Sequence, residues 1–232
     1  MRTDRGAMLY DASRSGQLAE PAFEPGHWHG RGSLEEVAGG RGTVAFVRDG
    51  DRRWVLRHYR RGGAVARLLD DRYLWTGEDR TRSFREWRLL HALHQAGLPV
   101  PAPVAARYVR SALTYRADLV TEELPTRLTL ARALANAPLE PDRWRGIGRV
   151  IGRLHAHGVR HADLNAHNLL LAGDGAVYVV DFDRGRFEAR GGWERDVLDR
   201  LHRSLAKVTA RLPPERWTDG DWKALLEGVA AA

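Results

Sequence analysis

The chain contains no cysteine. That excludes a disulfide framework and a thiolate zinc site. It has no run of about twenty uncharged apolar residues, so no membrane-spanning helix is expected. The polar, charged N-terminus lacks the apolar core of a secretory signal. Lysine is nearly missing: of 37 basic residues, only Lys207 and Lys223 are lysines. Any phosphate contact in the first two hundred residues must therefore come from arginine or from backbone amides. Acidic residues are the minority, 30 against 37, which leaves a formal charge of +7. Such a balance suits anionic partners: a nucleotide, acidic lipid head groups or nucleic acid. An arginine-rich coding bias accounts for it equally well. No recognised nucleic-acid module accompanies the charge, so no nucleic-acid partner is expected.

What remains is a chain of 232 residues, 43% hydrophobic and with eight tryptophans. That is enough for a core but short for two full-sized domains. The most informative segment is His161-Ala162-Asp163-Leu164-Asn165-Ala166-His167-Asn168. A short apolar run then ends in Val180-Asp181-Phe182-Asp183. An Asp, an Asn five residues on, and a second Asp thirteen residues later have the spacing of a phosphotransfer site. Asp163 can orient a substrate hydroxyl and accept its proton. Asn168 and Asp181 are hard oxygen ligands suited to magnesium, which needs few protein ligands when phosphates and waters complete its shell. The competing readings are a turn or N-cap role for Asp163, a turn amide for Asn168 and a strand-end carboxylate for Asp181. Asp183 either joins the metal shell or stabilises the turn that follows.

Along the chain, residues 1–30 read as a loosely attached, partly disordered extension. Residues 31–124 read as a β-rich, nucleotide-binding part and 125–232 as a helical, catalytic part. Gly39-Gly40-Arg41-Gly42 precedes the β-rich run Thr43–Val47, Asp49-Gly50 signals a hairpin, and Trp54–Tyr59 is the returning strand. Gly40 and Gly42 would let backbone amides approach phosphates. Ser83-Phe84-Arg85-Glu86 has the pattern of a capping box. It opens a helix striped by Phe84, Trp87, Leu90 and Leu93 and ended by Gly97 and Pro99. Strands are expected near Val104–Tyr108 and Ala117–Thr121, with Glu122–Pro125 as a linker. Pro141 starts a helix whose Trp144, Ile147, Ile151 and Leu154 share a face. Leu169–Leu171 and Val177–Val180 are expected to pair through a Gly173-Asp174-Gly175 turn. Further helices are expected over Trp193–Leu212 and Trp222–Val229. The arginines between residues 60 and 82, among them Arg60, Arg61 and Arg72, are interleaved with aromatics such as Trp75. That mixture fits an anionic membrane interface, where each Arg contributes on the order of 1 kcal/mol, or an acidic sugar. It equally fits a solvated face whose aromatics pack inward.

This order of parts resembles the protein kinase-like fold, an α+β, two-lobed architecture with a small β-rich N-lobe and a mainly helical C-lobe. In detail it resembles the 3-deoxy-D-manno-octulosonic acid (Kdo) kinase family. The resemblance is carried by Arg57-His58-Tyr59-Arg60-Arg61-Gly62-Gly63, Asp71-Arg72-Tyr73-Leu74-Trp75, Phe84-Arg85-Glu86-Trp87-Arg88-Leu89-Leu90 and the Asp163–Asn168 loop. It implies an ATP-dependent transfer to the 4-hydroxyl of Kdo on a lipid A precursor, with magnesium accompanying ATP. It also implies peripheral attachment to an anionic membrane surface, at the cytoplasmic side of the bacterial inner membrane. Arg57 would meet the nucleotide phosphates and pair with Glu86; alternatively Glu86 caps its own helix. Glu122 and Leu124 would meet adenine through the backbone. His161 would pin the loop by bonding to backbone, or else tune Asp163.

Three positions depart from the protein-kinase pattern. Arg57 replaces a lysine, Asn165 stands where a lysine touches the transferred phosphate, and Asp183 replaces the last glycine of the metal motif. The last two changes are similar to small-molecule kinases of the aminoglycoside phosphotransferase type and favour a small hydroxyl acceptor over a peptide. Two other readings stay open: a kinase of a different small hydroxyl compound, and a nucleotide-binding scaffold without turnover.

Overall fold

Short runs of apolar and β-branched residues in the first half of the chain build one large antiparallel sheet, whose central strands, Pro103–Ser111 and Thr114–Glu122, are buried on both faces. The structure is a computed structural model and describes residues 1–16, 18–39, 43–60 and 71–232. In chain order the elements of the first half are β1 (Arg2–Thr3), β2 (Gly6–Tyr10), α1 (Ala12–Ser15), α2 (Pro25–Gly30), β3 (Leu34–Gly39), β4 (Thr43–Asp49), β5 (Arg52–His58), β6 (Tyr73–Leu74), α3 (Arg82–Gln95), β7 (Pro103–Ser111) and β8 (Thr114–Glu122). Those of the second half are α4 (Leu130–Asn136), α5 (Pro141–Ala156), β9 (Val159–His161), β10 (Leu169–Leu171), β11 (Val177–Val179), β12 (Gly185–Phe187), α6 (Trp193–Thr209) and α7 (Asp219–Ala230). The mixture of helix with antiparallel sheet is α+β. The chain divides into two compact units: residues 1–91 with 102–123, and residues 92–101 with 124–232.

In the first unit the strands run β1-β2-β7-β8-β5-β4-β3, with β6 also paired to β8. Successive side chains of a strand point to opposite faces, so β5 sends Trp54, Leu56 and His58 one way and Val55 and Arg57 the other. The first face is covered by the N-terminal segment. Met8, Phe23 and Trp28 are buried there with Trp54, Val104 and Val120. Trp28 meets Trp54 edge to face at 5.8 Å and its Nε1–H donates to the Ala22 carbonyl at 2.8 Å. The expectation of a loosely attached extension over residues 1–30 is thereby corrected: three large apolar side chains in that segment need a partner, and the sheet supplies it. The boundary moves with it. Residues 1–30 belong to the sheet unit, and residues 92–101 belong to the other unit, where Pro99 and Gly97 accept from Val179 N–H at 3.0 Å and Arg153 at 2.8 Å.

Helix α3 buries Phe84, Trp87, Leu90 and Leu93, as its stripe predicts. Its start differs. The helix begins at Arg82, and Ser83, already inside the first turn, donates its hydroxyl to the Arg107 carbonyl at 2.9 Å. The capping-box reading is set aside, because Glu86 is engaged elsewhere.

In the second unit, Trp144, Ile147, Ile151 and Leu154 of α5 are fully buried. Helices α5 and α7 approach closely through small residues: a Cβ at Gly148 would collide with the Leu225 carbonyl, and one at Gly228 with that of Arg145. Backbone contact of this kind requires glycine on both helices. A capping box of Thr218 and Asp221 opens α7. Strands β10 and β11 pair as a hairpin, and β9 pairs with β12.

Candidate active site

The motif segment runs from the end of β9 to β10, and Asp181–Asp183 lies between β11 and β12. Two hydrogen bonds tie these stretches together through Val180. Its N–H donates to the Asn168 carbonyl at 3.0 Å, and its carbonyl accepts from His161 Nε2 at 3.0 Å. A carbonyl can only accept, so His161 carries its proton on Nε2. His161 is 2% exposed and its ring packs on Phe182 at 4.7 Å. Burial holds its pKa below the ordinary imidazole value, so it stays neutral. His161 therefore pins one stretch to the other.

Two amides converge on the Asp163 carbonyl: Asn165 Nδ2 donates at 2.8 Å and Asn168 Nδ2 at 3.0 Å. Asn165 also accepts from His167 N–H at 2.9 Å, closing an Asx turn. With Nδ2 of the buried Asn168 so engaged, its Oδ1 is the atom left to serve as a ligand. The loop is held from outside as well: Ala166 N–H donates to Ser204 Oγ of α6 at 3.1 Å and its carbonyl accepts from Ala131 N–H of α4 at 2.9 Å.

Asp181 has φ +66°, in the left-handed region that L-residues other than Asn, Asp and Gly rarely adopt. Among the described residues only Ala112, in the β7–β8 turn, shares this property without being glycine. Backbone strain of this kind costs on the order of 1 kcal/mol and persists where the surroundings over-determine it. Here both backbone groups of Val180 are clamped. Asp183 is half-buried in the tight turn closed by Gly185 N–H on the Phe182 carbonyl at 2.7 Å. The donor set fits magnesium: one carboxylate and one oriented amide oxygen, sparse enough for phosphates to complete the shell.

One partner of the motif escaped the sequence reading. Arg200 of α6 donates from Nη2 to Asp163 Oδ1. The available signal was the basic spacing Arg200, Arg203, Lys207 on a helix, which is uninformative until the loop is known to pack there.

In the first unit, Arg57 Nη1 donates to Glu86 Oε1 at 2.9 Å, and the Tyr59 hydroxyl donates to Glu86 Oε2 at 2.5 Å. The guanidinium also lies over the Tyr59 ring at 4.7 Å. The choice between ion pair and helix cap is thus decided for the pair. At Glu122 the N–H donates to the Ala102 carbonyl and that of Glu123 to the Arg53 carbonyl, both at 2.9 Å, while the Glu122 carboxylate takes Arg14 at 2.7 Å. Those two N–H groups are not open to a base. Leu124, half-buried, belongs to the second unit. Gly40, Gly42 and Arg61 lie outside the described residues.

Of the basic and aromatic segment, Arg72 is exposed, whereas Trp75 packs between Tyr108 at 5.0 Å and Tyr115 at 6.1 Å, with Arg110 over its ring. Inward packing wins for Trp75. Arg60 lines a cavity of about 520 Å³ on the sheet face opposite α3. That cavity holds a network the sequence did not reveal. Asp118 accepts from Arg107 at 2.9 Å and meets His58 Nδ1 at 2.6 Å; His58 Nε2 lies 3.3 Å from Asp71. Carboxylates at both ring nitrogens raise the His58 pKa, Asp118 most strongly.

The lipopolysaccharide kinase (Kdo/WaaP) family model matches residues 26–228. The chain belongs to the lipopolysaccharide kinase (Kdo/WaaP) family. A 3-deoxy-D-manno-octulosonic acid kinase of Vibrio parahaemolyticus is 38% identical over 229 residues, covering 99% of this chain and 96% of the relative. Proteins of the same name from Stenotrophomonas maltophilia and Xylella fastidiosa are 46% and 45% identical, each covering 88% of this chain and 81% of the relative. Every candidate residue from Arg57 to Asp183 lies inside the stretch matched by the Kdo/WaaP family model.

Proposed function

We propose that this chain is an ATP-dependent Kdo kinase with a two-lobed, kinase-like layout. It transfers the γ-phosphoryl of ATP to the 4-hydroxyl of Kdo on a lipid A precursor. The observation that carries this reading is the hydrogen-bonded clamp at Val180, which joins the stretch bearing Asp163 and Asn168 to the strained Asp181.

Asp163 orients the acceptor hydroxyl and takes its proton. The bond from that oxygen to the γ-phosphorus forms as the bond to the bridging oxygen of ADP breaks. Little covalent chemistry is asked of the protein in such a loose transition state; positioning and charge do most of the work. Arg57, held by Glu86 and Tyr59, supplies a fixed guanidinium for the nucleotide phosphates, and two donors in one plane suit phosphate oxygens. Asn168 Oδ1 and the Asp181 carboxylate would hold magnesium, which when bound neutralises phosphate charge. His161, neutral and buried, holds the loop rather than moving a proton.

The protein works peripherally on the anionic cytoplasmic face of the inner membrane. The +7 charge supports this. So does the paired tip of β6 and the β7–β8 turn, where Leu74 is 64% and Leu113 75% exposed beside Arg72 and Arg110. No helix among the described residues is long and apolar enough to cross a membrane.

The test is incubation with labelled ATP and three acceptors: a Kdo-bearing lipid A precursor, the same precursor without Kdo, and an aminoglycoside. Label in the Kdo-bearing lipid alone is expected. Label in the aminoglycoside overturns the acceptor, and ATP binding without label in any acceptor leaves the scaffold reading standing.

A further inference from the structure

The carboxylate of Asp163 is met by a cation that the motif does not encode. Arg200 on α6 donates to Asp163 Oδ1. Ser204, four residues on, accepts from Ala166 of the same loop, so this face of α6 lies against the loop. Arg203 and Lys207 continue the positive stripe at the following turns. Both are exposed, and neither pairs with a carboxylate among the described residues. Lys207 is one of only two lysines in the chain.

Stability does not explain this pair. The Arg200 side chain is 46% exposed and that of Asp163 36%. Ion pairs so open to water contribute about 0–1 kcal/mol. The pair also occupies an oxygen of the group that must take a proton.

We propose that Arg200 binds the carboxylate of the acceptor sugar, leaving Asp163 for it as the acceptor hydroxyl arrives. The inference rests on the Kdo kinase reading and extends it to acceptor selection. The chemistry matches the geometry. In a 3-deoxy-octulosonic acid the carboxylate sits on the carbon next to the deoxy methylene, and the 4-hydroxyl sits on that methylene's other neighbour. A hydroxyl delivered to Asp163 therefore brings the acid group to the neighbourhood of Asp163 that Arg200 occupies. Exchanging one carboxylate partner for another keeps the guanidinium paired throughout. It also returns the Asp163 oxygens to the hydroxyl only when an acidic acceptor is bound. A planar fork suits a carboxylate bidentately, which a lysine cannot reproduce.

The experiment is steady-state transfer by the wild-type, R200K and R200Q proteins, each with the Kdo acceptor and with its carboxamide analogue, alongside thermal melts. With the wild type, the amide is expected to raise the acceptor KM about ten- to a hundredfold, the range for a lost charge-assisted hydrogen bond. R200Q should raise KM for the acid by a similar factor and bring the acid-to-amide ratio near one, with R200K between. If R200Q lowers kcat for both acceptors alike and keeps the wild-type ratio, Arg200 only positions Asp163 and the inference is overturned. If R200Q melts early, R200K decides in its place: a ratio shifted toward one supports the inference, and a wild-type ratio overturns it. Wild-type protein that transfers to neither acceptor brings down the Kdo kinase reading itself, before any variant is made.

Discussion

The two units bury ionisable groups in opposite ways. In the sheet unit the buried ionisable side chains, Glu86, Arg107 and Asp118, are answered by opposite charge: Glu86 by the half-buried Arg57, and Asp118 by Arg107 and the half-buried His58. In the helical unit the two buried histidines are neutral. His161 donates to a carbonyl, and His155, packed on Trp193 at 5.2 Å, is pushed down to about 4 by burial. There the charged groups, Asp163 and Arg200, stand in water's reach. The contrast separates two jobs. Charge buried in pairs fixes geometry and is destabilising when halved. Charge left accessible is available for a substrate.

The largest expected effect lies on the accessible side. Asp163→Ala should lower kcat by about 10²–10⁴, the usual range for a general base, with the melting temperature within a degree or two of wild type. Fast residual turnover would remove Asp163 from the chemistry. On the buried side, Arg57→Met should cost about 3 kcal/mol of stability in urea unfolding, because it removes the guanidinium from the Glu86 carboxylate, 1% exposed. Arg57→Lys should cost less. A stability unchanged in Arg57→Met would mean that the pair is not fixing geometry.

The histidines separate the two units through pH. The unfolded chain protonates a histidine near 6.5, whereas folded His155 resists until about 4. As pH falls from 6.5 to 4 the unfolded state binds a proton that the folded state refuses, so stability is lost, by on the order of 3 kcal/mol. The depressed His161 acts in the same direction. His58 is reversed. Its folded pKa lies above 6.5, so its contribution is full below that pH and is lost as pH rises through the folded value. Peptide-resolved hydrogen exchange, corrected for intrinsic rates, should show α5 and α6 loosening in acid and β5 and β8 loosening, by a smaller amount, in alkali. Equal responses from both units would break the contrast.

Much of this was legible in the sequence, and the rest was hidden for identifiable reasons. The Phe84-Trp87-Leu90-Leu93 stripe, the Trp144–Leu154 face and the Gly173–Gly175 turn are local patterns and read true. The role of Glu86 was not decidable locally, since the same residue fits a cap and an ion pair; Tyr59, two residues after Arg57, settles it by taking the other carboxylate oxygen. The N-terminal thirty residues looked loose because Phe23 and Trp28 show no helical or strand period. Their order comes from a sheet face formed by residues far along the chain. Arg200 and the Arg107–Asp118–His58 network were unreadable for the same reason: each joins residues far apart in sequence, and arginine is too common in this chain for any one to stand out.

If Asp163, Asn168 and Asp181 serve one phosphotransfer centre, Asp163 acts on the acceptor and Asp181 on the metal. Calorimetric titration of ATP into wild type, Asp163→Ala and Asp181→Ala, each with and without magnesium, tests it most directly. Asp163→Ala should bind ATP with the wild-type gain from magnesium, while Asp181→Ala should lose that gain. Magnesium-dependent binding of undiminished strength in Asp181→Ala would contradict it.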